Sequence, residues 1–173
     1  MLTPQHPQAL RATTTRSAAP YRTTRATKDA IAMLKAEHAA VGHLFAEYGN
    51  THLVTNKKAL VAELCTALSV HAQVAEEIFY PAVKEALKDK MKVHDERVGH
   101  AAVKDLIAQL EGAEPDGKVY DAKVKALSDC VKNLVKEEQS EIFPRAMSTS
   151  LDMDELGARM AARKHDLLAR HRL

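Results

Sequence analysis

Residues 127–142 read LSDCVKNLVKEEQSEI, and the apolar residues in this stretch recur at steps of three and four. That spacing places them on one face of a helix, as in helices that pack against a core. Glu138 lies on the same face, four residues from an apolar neighbour on either side. The stretch therefore predicts a long amphipathic helix that brings one carboxylate into the core, on a face formed by Leu127, Val131, Leu134 and Ile142.

Three earlier segments show the same pattern, each with a histidine near the middle of its apolar stripe. Four helices of about 20 to 30 residues with short connections predict an all-α fold, an antiparallel up-down-up-down four-helix bundle. The ionisable residues on the four stripes then converge on the bundle axis. The three stripes and their histidines are residues 31–45 with His38, residues 60–78 with His71 and residues 93–110 with His100.

The chain divides into three predicted regions. Residues 1–26 are basic, free of acids and without apolar periodicity, which predicts a disordered tail, with an organelle transit peptide as the alternative. Residues 27–148 hold the bundle, and Asn56 is the predicted N-cap of its second helix. Residues 149–173 contain a further helix that begins at Asp152 and either lies across the bundle or mediates self-association or partner docking.

The composition excludes several classes of protein. Only six Gly and six Pro occur in 173 residues, too few turn residues for a β-sandwich or barrel. No apolar run approaches the roughly 20 residues that span a bilayer, so we expect a soluble protein with no membrane partner. The isolated Cys65 and Cys130 predict free thiols in a reducing compartment, the cytoplasm. The first 28 residues hold five basic groups, so the net charge of +2 leaves −3 on the remainder, and we expect no nucleic-acid partner.

The four converging residues predict a metal site. A carboxylate such as Glu138 costs several kcal/mol to bury unless it is paired or bound to a cation. Three imidazoles and one carboxylate in a dry core form a ligand set suited to iron, zinc or manganese. The predicted ligands are His38, His71, His100 and Glu138. The alternative is a metal-free hydrogen-bonded network of the same four side chains.

Four segments of the chain resemble the hemerythrin-like family, also known as HHE cation-binding domains, over about residues 28–147. The resemblance implies a four-helix bundle whose core holds two bridged irons, with roles in binding dioxygen or nitric oxide or in sensing iron or redox state. The segments are Leu34–His38, His71 followed by Glu76–Pro81, His100–Ile107, and Lys136–Glu138 followed by Glu141–Pro144.

Two positions depart from that family's pattern, which has His-x-x-x-Glu on both the second and the fourth helix. Ala75 stands four residues after His71, and Leu134 stands four residues before Glu138. Glu76 and Glu77 are predicted to face solvent or a helix seam, whereas Glu96 is a reserve ligand because it lies four residues before His100.

The resemblance implies that His38 and His71 bind one metal position and His100 the other, with Glu138 available to both. With two ligands replaced, one iron is favoured over two; zinc, manganese or no metal are the alternatives. We therefore expect a protein that binds a small diatomic ligand or senses dioxygen, nitric oxide, iron or redox state. A degenerate, metal-free structural or interaction module is the alternative, and no residue is assigned a catalytic role, so an enzyme is disfavoured.

Overall fold

A computed structural model describes residues 29–88, 99–115 and 117–171 in full and residues 96–98 by their backbone only. The predicted tail, residues 1–26, lies outside the described residues, as do Val93 and His94. The side chain of the reserve ligand Glu96 also lies outside them, so its role stays a prediction.

The described residues contain seven α-helices, two π-helical turns and no strand, which confirms the all-α bundle. Each π turn joins a long helix to a short one, so the bundle consists of α1, α2 with α3, α4, and α5 with α6. In chain order the elements are α1 (Ala30–Asn50), α2 (Val54–Val74), the first π turn (Ala75–Phe79), α3 (Tyr80–Ala86), α4 (Glu96–Glu111), α5 (Gly117–Glu137), the second π turn (Glu138–Ile142), α6 (Phe143–Met147) and α7 (Met153–Arg170).

The helix starts follow local capping chemistry. The Asp29 side chain accepts a hydrogen bond from the Ala32 N–H at 2.8 Å and caps α1. The Asp152 side chain caps α7 as predicted. The prediction that Asn56 caps the second helix is wrong: Leu53 is the N-cap, because its carbonyl already accepts the Lys57 N–H at 3.0 Å and the first turn forms three residues earlier.

The two π turns occur just before prolines. Backbone bonds run from the Tyr80 N–H to the Ala75 carbonyl and from the Phe143 N–H to the Glu138 carbonyl, each spanning five residues instead of four. Pro81 and Pro144 follow at once; a proline has no N–H to donate and its ring crowds the carbonyl four residues back. Each π turn accommodates its proline and changes which side chains downstream face the core.

The apolar core is divided into two clusters. The first contains the start of α1, the end of α2, both π turns, α3, α6 and α7, and the second contains the end of α1, the first two thirds of α2, the end of α4 and α5 from Tyr120 to Leu134. Neighbouring helices are therefore antiparallel, in the predicted up-down-up-down order. His38, His71 and Glu138 each lie between residues of the two clusters, so a polar layer crosses the bundle at mid-height.

Helix α7 packs against α1, α2 and the first π turn. Its apolar side chains Leu156, Met160 and Leu167 are buried in the first cluster, so the chain itself covers most of the face considered for self-association. Self-association stays a prediction. No helix among the described residues is both long and apolar enough to cross a membrane.

Candidate metal centre

Three of the four predicted ligands meet in the polar layer. His38 comes from the middle of α1, His71 from the last turn of α2, and Glu138 is the first residue of the second π turn. One donor atom from each of them can be chosen so that all three lie within 4.8 Å of one another. The predicted convergence of these stripes is therefore present in the fold.

The distances suit a single ion. His38 Nε2 lies 2.7 Å from Glu138 Oε2, and His71 Nε2 lies 3.9 Å from the same oxygen. Two ligands bound at about 2.0–2.2 Å to one ion are roughly 3 Å apart at right angles and roughly 4 Å apart when opposed. Two imidazoles and one carboxylate with further positions open is a donor set of mononuclear iron sites.

The hydrogen bonding of these atoms also fits a cation. His38 Nε2 and Glu138 Oε2 lie within ion-pair distance of each other, at 2.7 Å. Both atoms are buried, and apart from the ion-pair contacts among His38, His71 and Glu138 neither has a hydrogen-bond partner in the described part of the chain. Buried polar atoms without partners are rare and costly, and a shared cation would satisfy both.

Two opposed protonation shifts accompany this geometry. Burial alone would lower the pKa of an imidazole, but the carboxylates of Glu138 and Glu37 outweigh it and raise the pKa of His71 to about 10. Burial alone would raise the pKa of the Glu138 carboxyl, but the His38 and His71 imidazoles hold it well below its usual range. Without metal the centre thus pairs a protonated His71 with an ionised Glu138, and a bound cation must displace the His71 Nε2 proton.

His100, the fourth predicted ligand, lies beside this cluster without joining the three-residue group. Its ring centroid is 6.0 Å from that of His71, and neither of its buried nitrogens has a hydrogen-bond partner among the described residues. Burial, aided by the positive charge of His71, lowers the pKa of His100 to about 4, so its ring is neutral at pH 7. Glu76 lies at the seam with α4, as predicted, 3.3 Å from His100 Nδ1 and bonded by Lys104.

The two replaced ligand positions are filled with apolar side chains. Ala75 and Leu134 are both buried. The Leu134 Cδ1 lies so close to Gly99 that a β-carbon on that glycine would be 2.9 Å away. Leu134 thus packs closely against α4 at Gly99, the residue before His100.

Three side chains that the sequence did not single out as site residues surround the ligands. The Glu37 carboxylate accepts a hydrogen bond from His71 Nδ1 at 2.8 Å and another from the Lys164 ammonium at 2.7 Å. The Tyr80 hydroxyl donates a short hydrogen bond to Glu138 Oε1. Glu37 and Tyr80 lie within the segments that carry the family resemblance and could have been noticed on that ground, whereas nothing in the local pattern indicates Lys164.

This fold and cluster define a class of protein: a four-helix bundle that directs histidine and glutamate donors to one point inside its core. The family model of the hemerythrin HHE cation binding domain matches residues 29–146 of the chain. The match covers more than half of the 173 residues, and the chain therefore belongs to the hemerythrin HHE cation binding domain family. The resemblance drawn from the sequence is confirmed.

Two individual proteins are similar to this chain. The crystal structure of a hemerythrin HHE cation binding domain-containing protein from Mycobacterium kansasii superposes with a TM-score of 0.66 at 23% identity, covering 82% of this chain and 88% of that one. A DNA nickase from Nostoc sp. (strain PCC 7120) is 25% identical over 113 residues, which are 64% of this chain but 31% of the nickase. The first similarity supports the fold, and the second relates the chain to about a third of a longer protein.

Proposed function

We propose that this protein binds one iron ion through His38, His71 and Glu138 and uses it to bind a small diatomic ligand or to sense dioxygen, nitric oxide, iron or redox state. The observation that carries the proposal is the convergence of three donor atoms, two of them buried without hydrogen-bond partners. Zinc and manganese suit the same ligands and are the alternatives to iron.

Each side chain has a distinct role in this proposal. A bound iron supplies open coordination positions and a change of oxidation state. Glu138 contributes the negative charge that offsets the cation, and Tyr80 holds its other oxygen. The apolar clusters on both sides of the polar layer keep bulk water away. Ala75 and Leu134 offer no donor, which favours one ion over a bridged pair.

A metal-free structural module is the second candidate, and one observation favours it. His71 lies between Glu37 and Glu138, so the protonated ring is already balanced by two carboxylates. A buried network of this kind can stabilise one packing arrangement without metal. It leaves His38 Nε2 and Glu138 Oε2, the two atoms that the proposed ion would share, without hydrogen-bond partners, however, and for that reason we favour the metal.

The nickase does not extend this proposal to DNA. The match covers 31% of that protein, and the chain from residue 29 onward carries a net charge of −3, the wrong sign for binding a phosphate backbone. We propose that nucleic acid is not a partner. Cys65 and Cys130 are free thiols, and we propose a reducing compartment, the cytoplasm, as the protein's location.

The direct test is elemental analysis of protein produced with iron supplied and purified without chelators. We expect about one iron per chain in the wild type and little in a His71→Ala variant. The control is His43→Ala, which removes an exposed histidine from α1 and should leave the iron content unchanged. Less than about a tenth of a metal ion per wild-type chain would contradict the proposal and favour the structural module.

A further inference from the structure

Helix α7 lies beyond the family match, which ends at residue 146, yet one of its side chains reaches the metal centre. Lys164 donates a hydrogen bond to Glu37 Oε1 at 2.7 Å. The other oxygen of the same carboxylate, Oε2, lies 2.8 Å from His71 Nδ1. A continuous path therefore runs from α7 through α1 to a predicted ligand on α2.

All three side chains of this path are largely withdrawn from solvent. The exposed fractions are 14% for Lys164 and 7% for both Glu37 and His71. Charge-assisted hydrogen bonds in such surroundings are shorter and stronger than neutral ones, and they are screened little by salt. The Lys164 ammonium therefore differs from the exposed cations of α7, whose ion pairs contribute little.

The two bonds together determine how the His71 ring is presented. A carboxylate held at both oxygens cannot rotate, so Glu37 keeps a fixed acceptor opposite Nδ1. With its proton on Nδ1, the ring offers Nε2 as the donor, and Nε2 is the nitrogen that faces Glu138 at 3.9 Å. Carboxylates that orient ligand histidines in this way typically change metal affinity about 10- to 100-fold when removed.

We propose that Lys164 and Glu37 are positioning residues of the metal centre, and that α7 thereby sets the affinity of the site for its ion. The proposal rests on the proposed metal-binding function. Lys164 acts only through Glu37, and Glu37 acts only through the orientation of His71. Neither side chain is itself a ligand.

The test compares variants of the full-length protein for Fe²⁺ affinity, measured without oxygen by competition with a chromogenic chelator. We expect Lys164→Met and Glu37→Gln each to weaken binding about 10- to 100-fold. The matched control is Arg163→Met, which removes the neighbouring α7 cation and its bond to Glu77, a carboxylate whose side chain is 40% exposed. That variant should bind Fe²⁺ within about twofold of wild type, since this partly exposed ion pair includes neither Glu37 nor a predicted ligand.

A double variant avoids leaving a buried charge without its partner. Lys164→Met leaves Glu37 without its ammonium partner and can destabilise the fold, whereas Lys164→Met with Glu37→Gln removes both charges. If Lys164 acts through Glu37, the double variant loses no more affinity than Glu37→Gln alone. Circular dichroism of each metal-free variant verifies that it is folded.

A second readout separates orientation from general stability. In ¹⁵N NMR spectra of the wild-type protein, the hydrogen-bonded Nδ1–H of His71 should give a slowly exchanging signal that Glu37→Gln weakens and Arg163→Met leaves unchanged. If the wild type binds Fe²⁺ and Lys164→Met binds it with the same affinity, this inference is wrong and the proposed function still stands. Absence of Fe²⁺ binding in the wild type would overturn the proposed function and this inference with it.

Discussion

Glu138 is a carboxylate placed in an apolar core, and its surroundings account for its ionised state. The Tyr80 hydroxyl binds one of its oxygens, and the other faces the imidazoles of His38 and His71. An isolated buried carboxylate would be neutral, since burial disfavours the charged form. The two histidines reverse that preference, and the same arrangement offers the negatively charged donor that the proposed metal ion requires.

Removal of that charge should abolish most metal binding. In Glu138→Gln the side chain keeps its shape but loses its anionic donor, so we expect iron affinity to fall by about 100-fold or more. Glu137→Gln is the matched control, because that neighbour is exposed on the same helix. Elemental analysis of both variants after identical purification provides the comparison. Equal iron content in the two would show that Glu138 is not a ligand.

The metal-free protein should be most stable near pH 6.5, and the ionisable groups of the centre and His100 beside it contribute to the decline on both sides. Glu37 and Glu138 have pKa values below the usual 4.5, so their stabilisation is present above about pH 4.5 and is lost as the pH falls further. The pKa of His71 is raised from 6.5 to about 10, so its stabilisation is complete below pH 6.5 and is lost as the pH rises towards 10.

Urea unfolding of the metal-free protein across this pH range tests the prediction. The free energy of unfolding should be highest near pH 6.5 and decline on both sides, and the acid decline begins there because the pKa of His100 is lowered from 6.5 to about 4 in the folded protein. In Glu138→Gln the acid decline should be shallower, because one of the two carboxyls responsible for it is gone. A wild-type profile that is unchanged from pH 6 down to 3 would contradict the charge states described for the centre.

The positions of the two π turns show which residue of the second bundle helix is equivalent to which residue of the fourth. They begin at Ala75 and Glu138, 63 residues apart, and Pro81 and Pro144 have the same separation. The Glu-Ile-Phe triplets at 77–79 and 141–143 suggest a separation of 64, one residue different. The structural correspondence pairs Ala75 with Glu138 and His71 with Leu134. Each helix therefore lacks the donor that the other retains.

Restoring both donors should create the second metal position. In the double variant Ala75→Glu with Leu134→His, the new side chains occupy buried positions, and the new histidine lies near Gly99 on α4. We expect the iron content to rise from about one to about two ions per chain, by elemental analysis. The single variants serve as controls and should gain less. An iron content that stays at one would show that the helix correspondence is wrong.

The molecule as a whole places a polar layer between two apolar clusters. The cluster around the π turns includes α7, whose Met160 is fully buried there. Burial of apolar surface in both clusters stabilises the bundle, and this stability offsets the unfavourable burial of the polar groups between them. Helix α7 therefore has two roles: it completes the first apolar cluster, and it places Lys164 within hydrogen-bond distance of Glu37.

The packing role of α7 can be measured separately from its contact with the centre. Met160→Ala should lower the free energy of unfolding by about 2–5 kcal/mol, because the deleted side chain leaves a cavity in the cluster. Met147→Ala, at a residue that is 58% exposed, should change it by less than about 0.5 kcal/mol. Denaturant unfolding of metal-free protein measures both. Equal effects would show that α7 is not packed as described.

Much of this arrangement was predictable from local pattern. The apolar stripes predicted the bundle, and they also placed His38, His71, His100 and Glu138 in its core, since residues three or four apart share a helix face. Ile78 was predicted to lie on the buried stripe but is only partly buried, whereas Phe79 is fully buried. The π turn that begins at Ala75 changes the rotation of the helix there, and an α-helical period does not describe it.

The sequence by itself determined the class of fold, the polar layer and the loss of two donors at Ala75 and Leu134, because each of these depends on the spacing of residues within one helix. The tertiary structure decided which donors reach one point and which side chains hold them. Lys164 and Glu37 are 127 residues apart, and their contact depends on how α7 lies across α1. No periodicity within a helix encodes that placement, which results from the burial of the apolar face of α7 against the bundle.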